Sequence, residues 1–267
     1  FFTLSLCMGT FVRVIATLFS DSFYPESVIP VFALIALAVM VGLLVYRRGV
    51  RLAPATLVAL ALMFISIWIG LRYPITGVST PFWVYLLIAY AFVASVLPVW
   101  LLLQPRDYLN AYQLVIGMLL MYIGLFVARP QISAPAINNA SAGLPSLFPF
   151  LFITIACGAI SGFHSLVATG TTSKQLSKET HAVPIGYGGM LAEGLLAMIV
   201  VLACVSGVTR AEWLEHYSSW QGAAGLSAKM DAFVRGAGNF VSQIGVPVEV
   251  ARSFIVAMAV GFAMPTL

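Results

Sequence analysis

Repeated runs of about 20 apolar residues restrict the fold of this chain more than any other feature, because a helix of that length crosses a bilayer core of ~30 Å. Short polar or proline-bearing stretches separate the runs. We define eight of them, spans A to H, over residues 1–19, 28–46, 52–71, 81–103, 109–128, 147–170, 184–206 and 248 onward. They predict an all-α, polytopic helical membrane protein.

The composition excludes a water-soluble domain. Hydrophobic residues make up 61% of the chain and charged residues 8%, whereas about a quarter of a soluble domain is charged. The alternation typical of a transmembrane barrel is absent, since residues 29–45 are apolar on every face. We expect a single transmembrane domain over residues 1–267 that is a fragment of a longer protein, because both ends fall inside apolar runs.

Lys and Arg in the short loops predict the orientation. The loops after spans B, D and F carry six of these residues, Arg47, Arg48, Arg51, Arg106, Lys174 and Lys178, and such loops are cytoplasmic. The net charge of +4 is thus mainly a topology signal, and no basic stripe indicates nucleic acid as a partner. Three cysteines in apolar spans indicate neither a disulfide framework nor a metal site.

Residues 207–247 form the least apolar segment. The prediction is an extracytoplasmic loop containing a short interfacial helix around Trp213, Tyr217 and Trp220, because Trp and Tyr side chains prefer the headgroup region. Such a segment serves either as an extracellular gate or as a simple connection. The sequence leaves both open.

Span D and its exit contain the first candidate site residues. Pro98 interrupts an apolar run, so it predicts a kink or break that frees a backbone carbonyl. Transporters use such breaks to bind substrates and ions. An ordinary proline kink is the alternative. Trp100 follows in the same stretch, and Arg106 with Asp107 could form an ion pair that latches a gate at the cytoplasmic end.

Span F carries hydroxyl-bearing and small residues at helical spacing, including Ser161 and Gly162. Thr169, Thr171, Thr172 and Ser173 cluster at its end beside Gly170, and their oxygens suit a coupling Na⁺. Close helix packing is the alternative explanation for the small residues.

Three ionisable residues inside apolar spans complete the predicted substrate and proton pathway: His164, Glu193 and Arg13. Ionisable groups within a membrane mark functional sites by default. His164 suits proton carriage, since imidazole titrates near neutral pH. Arg13 could counter Glu193, hold an anionic substrate, or extend to the membrane interface. His164 could equally be a neutral, hydrogen-bonded residue.

Three long sequence segments resemble a known family. They are LPVWLLLQPRDYL at 97–109, ITIACGAISGFHSL at 153–166 and IGYGGMLAEGLLA at 185–197. They are similar to the middle of carbon starvation protein A (CstA) and its pyruvate-transporting relatives. The resemblance implies a multi-pass protein of the bacterial inner membrane. It also implies a leucine-transporter-like fold of inverted repeats, in which spans A to H would be helices three to ten.

The resulting expectation is a secondary transporter that imports pyruvate or short peptides during carbon starvation by H⁺ or Na⁺ symport, without another cofactor. An intramembrane enzyme using Ser161 or Cys157 with His164 is the alternative, as is a receptor or channel. No acid that would orient His164 is evident, and no nucleotide-binding loop appears in the sequence.

Overall fold

The computed structural model describes residues 2–135, 147–159, 172–219 and 225–263. This part of the chain is helical and contains no strand. Its ten α-helices are α1 (Phe2–Leu18), α2 (Val28–Gly42), α3 (Leu52–Arg72), α4 (Thr80–Val96), α5 (Leu103–Ala128), α6 (Leu147–Ala159), α7 (Ala182–Ser206), α8 (Arg210–Tyr217), α9 (Leu226–Ser242) and α10 (Val248–Ala263).

Four helical segments in the described residues are long and apolar enough to cross a membrane. They are Pro25–Arg47, Leu52–Arg72, Leu103–Ala128 and Glu179–Ser206. The segments Leu4–Leu18 and Thr80–Val96 are apolar but shorter. The predicted all-helical architecture is thus confirmed with four candidate membrane spans, and the full count of eight stays a prediction.

The boundary between spans D and E differs from the prediction. Span D was expected to run to residue 103, but α4 ends at Val96 and α5 already begins at Leu103. Leu97 is extended, with ψ of 147°, because the residue before a proline disfavours the helical conformation. Pro98 therefore follows a helix end and does not kink a continuous span.

Helix α10 lies in the core of the bundle. It packs against α2, α3, α5 and α9, and its side chains from Ala251 to Met258 are almost all buried. Helix α2 packs between α3 and α5, while α1 packs along α4. The rings of Phe19 and Trp83 meet edge to face at a centroid distance of 5.3 Å and fasten the end of α1 to α4.

Two glycines allow helices to cross at backbone contact. A Cβ on Gly236 of α9 would collide with the backbone of Ala203 in α7, and one on Gly124 of α5 would collide with the backbone of Phe240 in α9. Small residues at crossings are the usual device for close helix packing in membranes, where apolar lipid weakens the hydrophobic drive for association.

Helix α9 was missed in the sequence. A short helix, α8, does lie within 207–247, and its interfacial, extracytoplasmic position stays a prediction. Treating Leu226–Ser242 as part of a connection is wrong, because these residues form α9. Phe233, Val234, Ala237, Phe240 and Val241 are buried, and they recur at the three- and four-residue spacing of an amphipathic helix. The polar residues between them conceal the pattern from a search for continuous apolar runs.

Candidate functional site

Several predicted site residues lie outside the described residues. These are Ser161, Gly162, His164, Thr169 and Thr171. The alternative catalytic pair also depends on this segment, since Ser161 and His164 belong to it and Cys157 lies near the end of α6. Their predicted roles stay predictions.

Thr172 and Ser173, the described part of the predicted cation cluster, are exposed. Thr172 precedes a single 3₁₀ turn over Ser173–Gln175. The structure thus places this end of the cluster in a short connection that leads towards α7. Its binding of a cation stays a prediction.

Arg13 lies on an exposed face of α1 and lines two grooves. One groove of about 530 Å³ lies along α1 and reaches Gly225. The other, also of about 530 Å³, lies between α1 and α4 and includes Thr80 and Tyr85. The described helices leave the Arg13 side chain exposed where the grooves are open, and its role in the substrate pathway stays a prediction. An accessible guanidinium can bind a carboxylate.

Glu193 lies in the first half of α7, where the side chains are almost all exposed. The packed half begins near Leu195, whose carbonyl accepts a hydrogen bond of 2.8 Å from the Tyr122 hydroxyl, and continues to the buried Ile199 and Ala203. Burial by the described helices begins in this second half. They therefore do not reproduce the interior position expected for Glu193, and its role stays a prediction.

Pro98 and Trp100 lie in the turn between α4 and α5, and this turn packs on α2. A Cβ on Gly42 would come within 2.8 Å of the carbonyl oxygen of Leu101. The ring of Trp100 lies 6.1 Å from that of Tyr46. The turn is thus fastened to the end of α2, which widens into a π-helical turn over Leu43–Arg47.

The predicted ion pair of Arg106 and Asp107 is present, with Nε of Arg106 at 3.4 Å from Oδ1 of Asp107. Its two members differ sharply in burial, because Arg106 is 3% exposed and Asp107 52% exposed. Nη1 of Arg106 also donates a hydrogen bond of 2.6 Å to the Tyr90 hydroxyl of α4. Arg106 therefore joins α4 to α5, and the role of the pair as a gate stays a prediction.

A second polar cluster joins distant parts of the chain and was not predicted. The Asp231 carboxylate accepts hydrogen bonds from the Tyr24 hydroxyl and from Nε of Arg235, at 2.5 and 2.9 Å. Nε2 of His216 lies 3.6 Å from Oδ2 of Asp231. The loop after α1, the short helix α8 and helix α9 thus meet at one largely buried carboxylate.

Burial, together with the hydrogen bond to Asp231, raises the pKa of the Tyr24 phenol well above its usual value. Tyr24 accordingly remains a protonated donor at physiological pH. Tyr24, Asp231 and His216 were each visible in the sequence, but no local pattern links them. Only the amphipathic spacing of residues 226–242 could have indicated that Asp231 approaches the core.

Comparison with known proteins identifies the family. The family model of carbon starvation protein CstA matches residues 1–263. The chain belongs to the CstA family. The resemblance carried by the three strings in spans D, F and G is therefore confirmed.

Curated relatives of this CstA-family chain are named as transporters. The peptide transporter CstA of Mycobacterium tuberculosis is 42% identical over 195 residues, which cover 67% of this chain and 25% of that protein. The peptide transporter CstA of Escherichia coli is 47% identical over 139 residues, covering 50% and 19%. The pyruvate/proton symporter BtsT of Escherichia coli is 38% identical over 199 residues, covering 67% and 27%.

The CstA-family chain spans about a quarter of the length of the first of these relatives, as the 25% coverage shows. No solved structure matches it. The family assignment therefore rests on sequence comparison alone.

Proposed function

We propose that this chain is part of a secondary active transporter that imports short peptides or pyruvate across the bacterial inner membrane, driven by a proton or sodium gradient. The observation that carries the proposal is the CstA family match over residues 1–263. Relatives named for peptide transport and for pyruvate/proton symport point to the two substrate classes.

The grooves at Arg13 support a substrate that carries a carboxylate. Pyruvate and the C-terminus of a peptide both present this group, and a guanidinium binds it through two parallel hydrogen bonds. Both grooves share Gly9, Arg13 and Thr17. The Thr17 hydroxyl already donates to the Arg13 backbone carbonyl at 2.8 Å, so the Arg13 guanidinium is the group in both grooves that would bind a substrate carboxylate.

The leucine-transporter-like architecture implied by the resemblance is part of the proposal. Spans A to H would be helices three to ten of such a fold, and the loops bearing Arg47, Arg48 and Arg51 would face the cytoplasm. In this arrangement His164 and Glu193 are candidate proton carriers. Thr169, Thr171, Thr172 and Ser173 are candidates for a coupling cation site.

Uptake into proteoliposomes tests the proposal. The full-length protein would be reconstituted, and labelled pyruvate and labelled dipeptides offered under separately imposed proton and sodium gradients. We expect one substrate class to accumulate under one gradient. Failure of both substrates to accumulate under either gradient would refute the proposal and favour the enzyme, receptor or channel alternatives.

A His164→Ala variant in the same assay tests the proposed proton carrier. We expect coupled uptake to be lost while the protein stays folded, as monitored by its elution from a sizing column. Full coupled uptake by this variant would remove His164 from the proton pathway and leave the transport proposal intact.

A further inference from the structure

Two side-chain oxygens in the core of the bundle have no hydrogen-bond donor among the described residues. They are Oδ1 of Asn110 and Oε1 of Gln113, both on α5. Asn110 is 3% exposed and Gln113 1% exposed. Buried acceptors in native proteins are nearly always paired, since an unpaired one loses its hydration without compensation. Two unpaired oxygens one helical turn apart therefore indicate a shared partner, either a bound ion or an ordered water molecule.

Both oxygens approach the same point on α10. A Cβ placed on Gly261 would lie 2.9 Å from Oδ1 of Asn110 and 3.7 Å from Oε1 of Gln113. Any side chain at position 261 would thus fill the space between the two oxygens. Glycine keeps a Cβ out of this space, which Cδ2 of Leu34 also borders at 3.4 Å from the Cβ position.

The carbonyl of Gly261 supplies a third oxygen. Residue 265 is a proline, so it has no N–H to donate to the carbonyl four residues earlier. Nδ2 of Asn110 donates to the Gly261 carbonyl instead, at 2.8 Å. This bond sets the orientation of the Asn110 amide, with its nitrogen towards α10 and Oδ1 as the unpaired atom. The carbonyl keeps a second lone pair.

We propose that Asn110, Gln113 and the Gly261 carbonyl bind a monovalent metal cation of the sodium class. All three ligands are neutral oxygens. Divalent cations such as Ca²⁺ and Mg²⁺ are held by sites that include carboxylates, whereas carbonyl oxygens alone suffice for monovalent cations in membrane proteins. As a coupling site, this position rests on the transport function proposed above, but the binding of the cation does not.

The position of the site predicts a measurable effect on stability. Asn110 and Gln113 belong to α5 and Gly261 to α10, and these helices pack against each other in the core. A cation that bridges them binds the folded protein and not the unfolded chain. The melting temperature should therefore rise with the concentration of the cation.

The test uses the full-length protein in detergent micelles at fixed pH and fixed ionic strength, with sodium chloride replacing choline chloride stepwise. We expect the melting temperature to rise with sodium, and ²²Na⁺ to bind the protein directly. Gln113→Met keeps the side-chain length but removes the oxygen, so half-maximal binding should require at least tenfold more sodium. The matched control is Gln104→Met, on the same helix, where the glutamine already accepts a hydrogen bond from Tyr46.

Gly261→Ala provides a second test if the Gln113 variant does not fold. It keeps all three oxygens and fills the space between them, so sodium binding should again weaken at least tenfold. Gln113→Glu adds a negative charge and should tighten sodium binding.

Three results would overturn the site, and the first two are equal melting curves in sodium and choline, or unchanged ²²Na⁺ binding in both Gln113→Met and Gly261→Ala. The first would mean that ordered water alone satisfies the two amide oxygens. Substrate uptake without any sodium binding would refute this site and leave the transport function standing. Sodium binding without uptake of either substrate would do the reverse.

Discussion

The hydroxyl of Tyr24 donates a hydrogen bond of 2.5 Å to Oδ1 of Asp231, and this contact joins residues that lie 207 positions apart in the chain. It fastens the loop between α1 and α2 to α9. Arg235 and His216 approach the other carboxylate oxygen. The cluster thus supplies a polar connection between the first and the last part of a largely apolar bundle.

Tyr24→Phe tests the energetic contribution of this contact. The substitution removes the hydroxyl and leaves Asp231 with one fewer donor, so we expect a loss of about 1.5–3 kcal/mol, the range for a hydrogen bond to a charged group. Unfolding by sodium dodecyl sulfate in mixed micelles measures it. Tyr187→Phe, which alters a 64% exposed tyrosine on α7, is the control and should change stability little. If Tyr24→Phe and Tyr187→Phe lowered the free energy of unfolding equally, the hydrogen bond from Tyr24 to Asp231 would not be the source of the stabilisation.

We expect the local stability of helix α8 to depend on pH through the Glu212 carboxylate. Its carboxylate accepts a hydrogen bond of 2.8 Å from the Thr209 backbone N–H, and the Thr209 hydroxyl caps the Glu212 N–H in return. The bond from the Thr209 backbone lowers the pKa of Glu212. Because the folded pKa lies below the unfolded value, the stabilisation is complete above the unfolded pKa and is lost as pH falls through the folded pKa.

Hydrogen exchange at the amides of α8, corrected for the intrinsic pH dependence of exchange, measures this effect. We expect protection to fall below about pH 4.3, the ordinary pKa of a glutamate. Thr209→Ala should lower protection by about 1 kcal/mol, the usual effect of losing an N-cap. Glu215→Gln, on the exposed side of the same helix, should leave the pH profile unchanged. A pH profile that survives in Glu212→Gln would assign the dependence to another group.

Gly236→Ala tests the close crossing of α7 and α9. Its new methyl group would collide with the carbonyl of Ala203, so the helices must separate, at a cost of about 1–3 kcal/mol. The control is Gly188→Ala on the exposed half of α7, where nothing lies within 4 Å of an added Cβ. Thermal unfolding in micelles should show a lower midpoint for the first variant alone. Matching midpoints would mean that the crossing tolerates a wider separation.

Variants of Arg106 and Asp107 distinguish a structural role of this ion pair from a role as a gate. Arg106→Gln removes the guanidinium that donates a hydrogen bond to the Tyr90 hydroxyl, and we expect it to lower stability by about 1.5–3 kcal/mol, the range for a hydrogen bond to a charged group. Asp107→Asn removes a carboxylate that is 52% exposed but keeps an oxygen that can accept from Nε of Arg106, and a solvent-screened pair of this kind contributes about 0–1 kcal/mol. If the pair also latches a gate, Asp107→Asn should change the rate of uptake at nearly unchanged stability. An unaltered uptake rate would remove the gate hypothesis.

Arg13→Gln tests the carboxylate site in the grooves. Loss of the guanidinium should raise the KM for pyruvate or peptide at least tenfold, because two charge-assisted hydrogen bonds are lost. Proteoliposome uptake measures the KM. Arg51→Gln, in the exposed loop before α3, is the charge-matched control. An unchanged KM in the Arg13 variant would place substrate binding elsewhere.

Much of the helical architecture could be predicted from local pattern. Spans A, B and C coincide with α1, α2 and α3 within a few residues at each end, because apolar runs of this length report directly on helices that meet lipid. Helix α9 was not predicted because it contains no continuous apolar run. Its buried residues alternate with Lys229, Asp231 and Arg235, so its mean polarity conceals a helix that packs in the core.

The sequence by itself determined the membrane class, the family and the position of most apolar helices, since each depends on residues that are close together along the chain. Only the tertiary structure decided that Tyr24 meets Asp231, that Arg13 faces open grooves, and that Asn110 and Gln113 converge on Gly261. These relationships depend on which helix faces which. That choice is made by packing at a few crossings, such as Gly124 against Phe240, which no local pattern encodes.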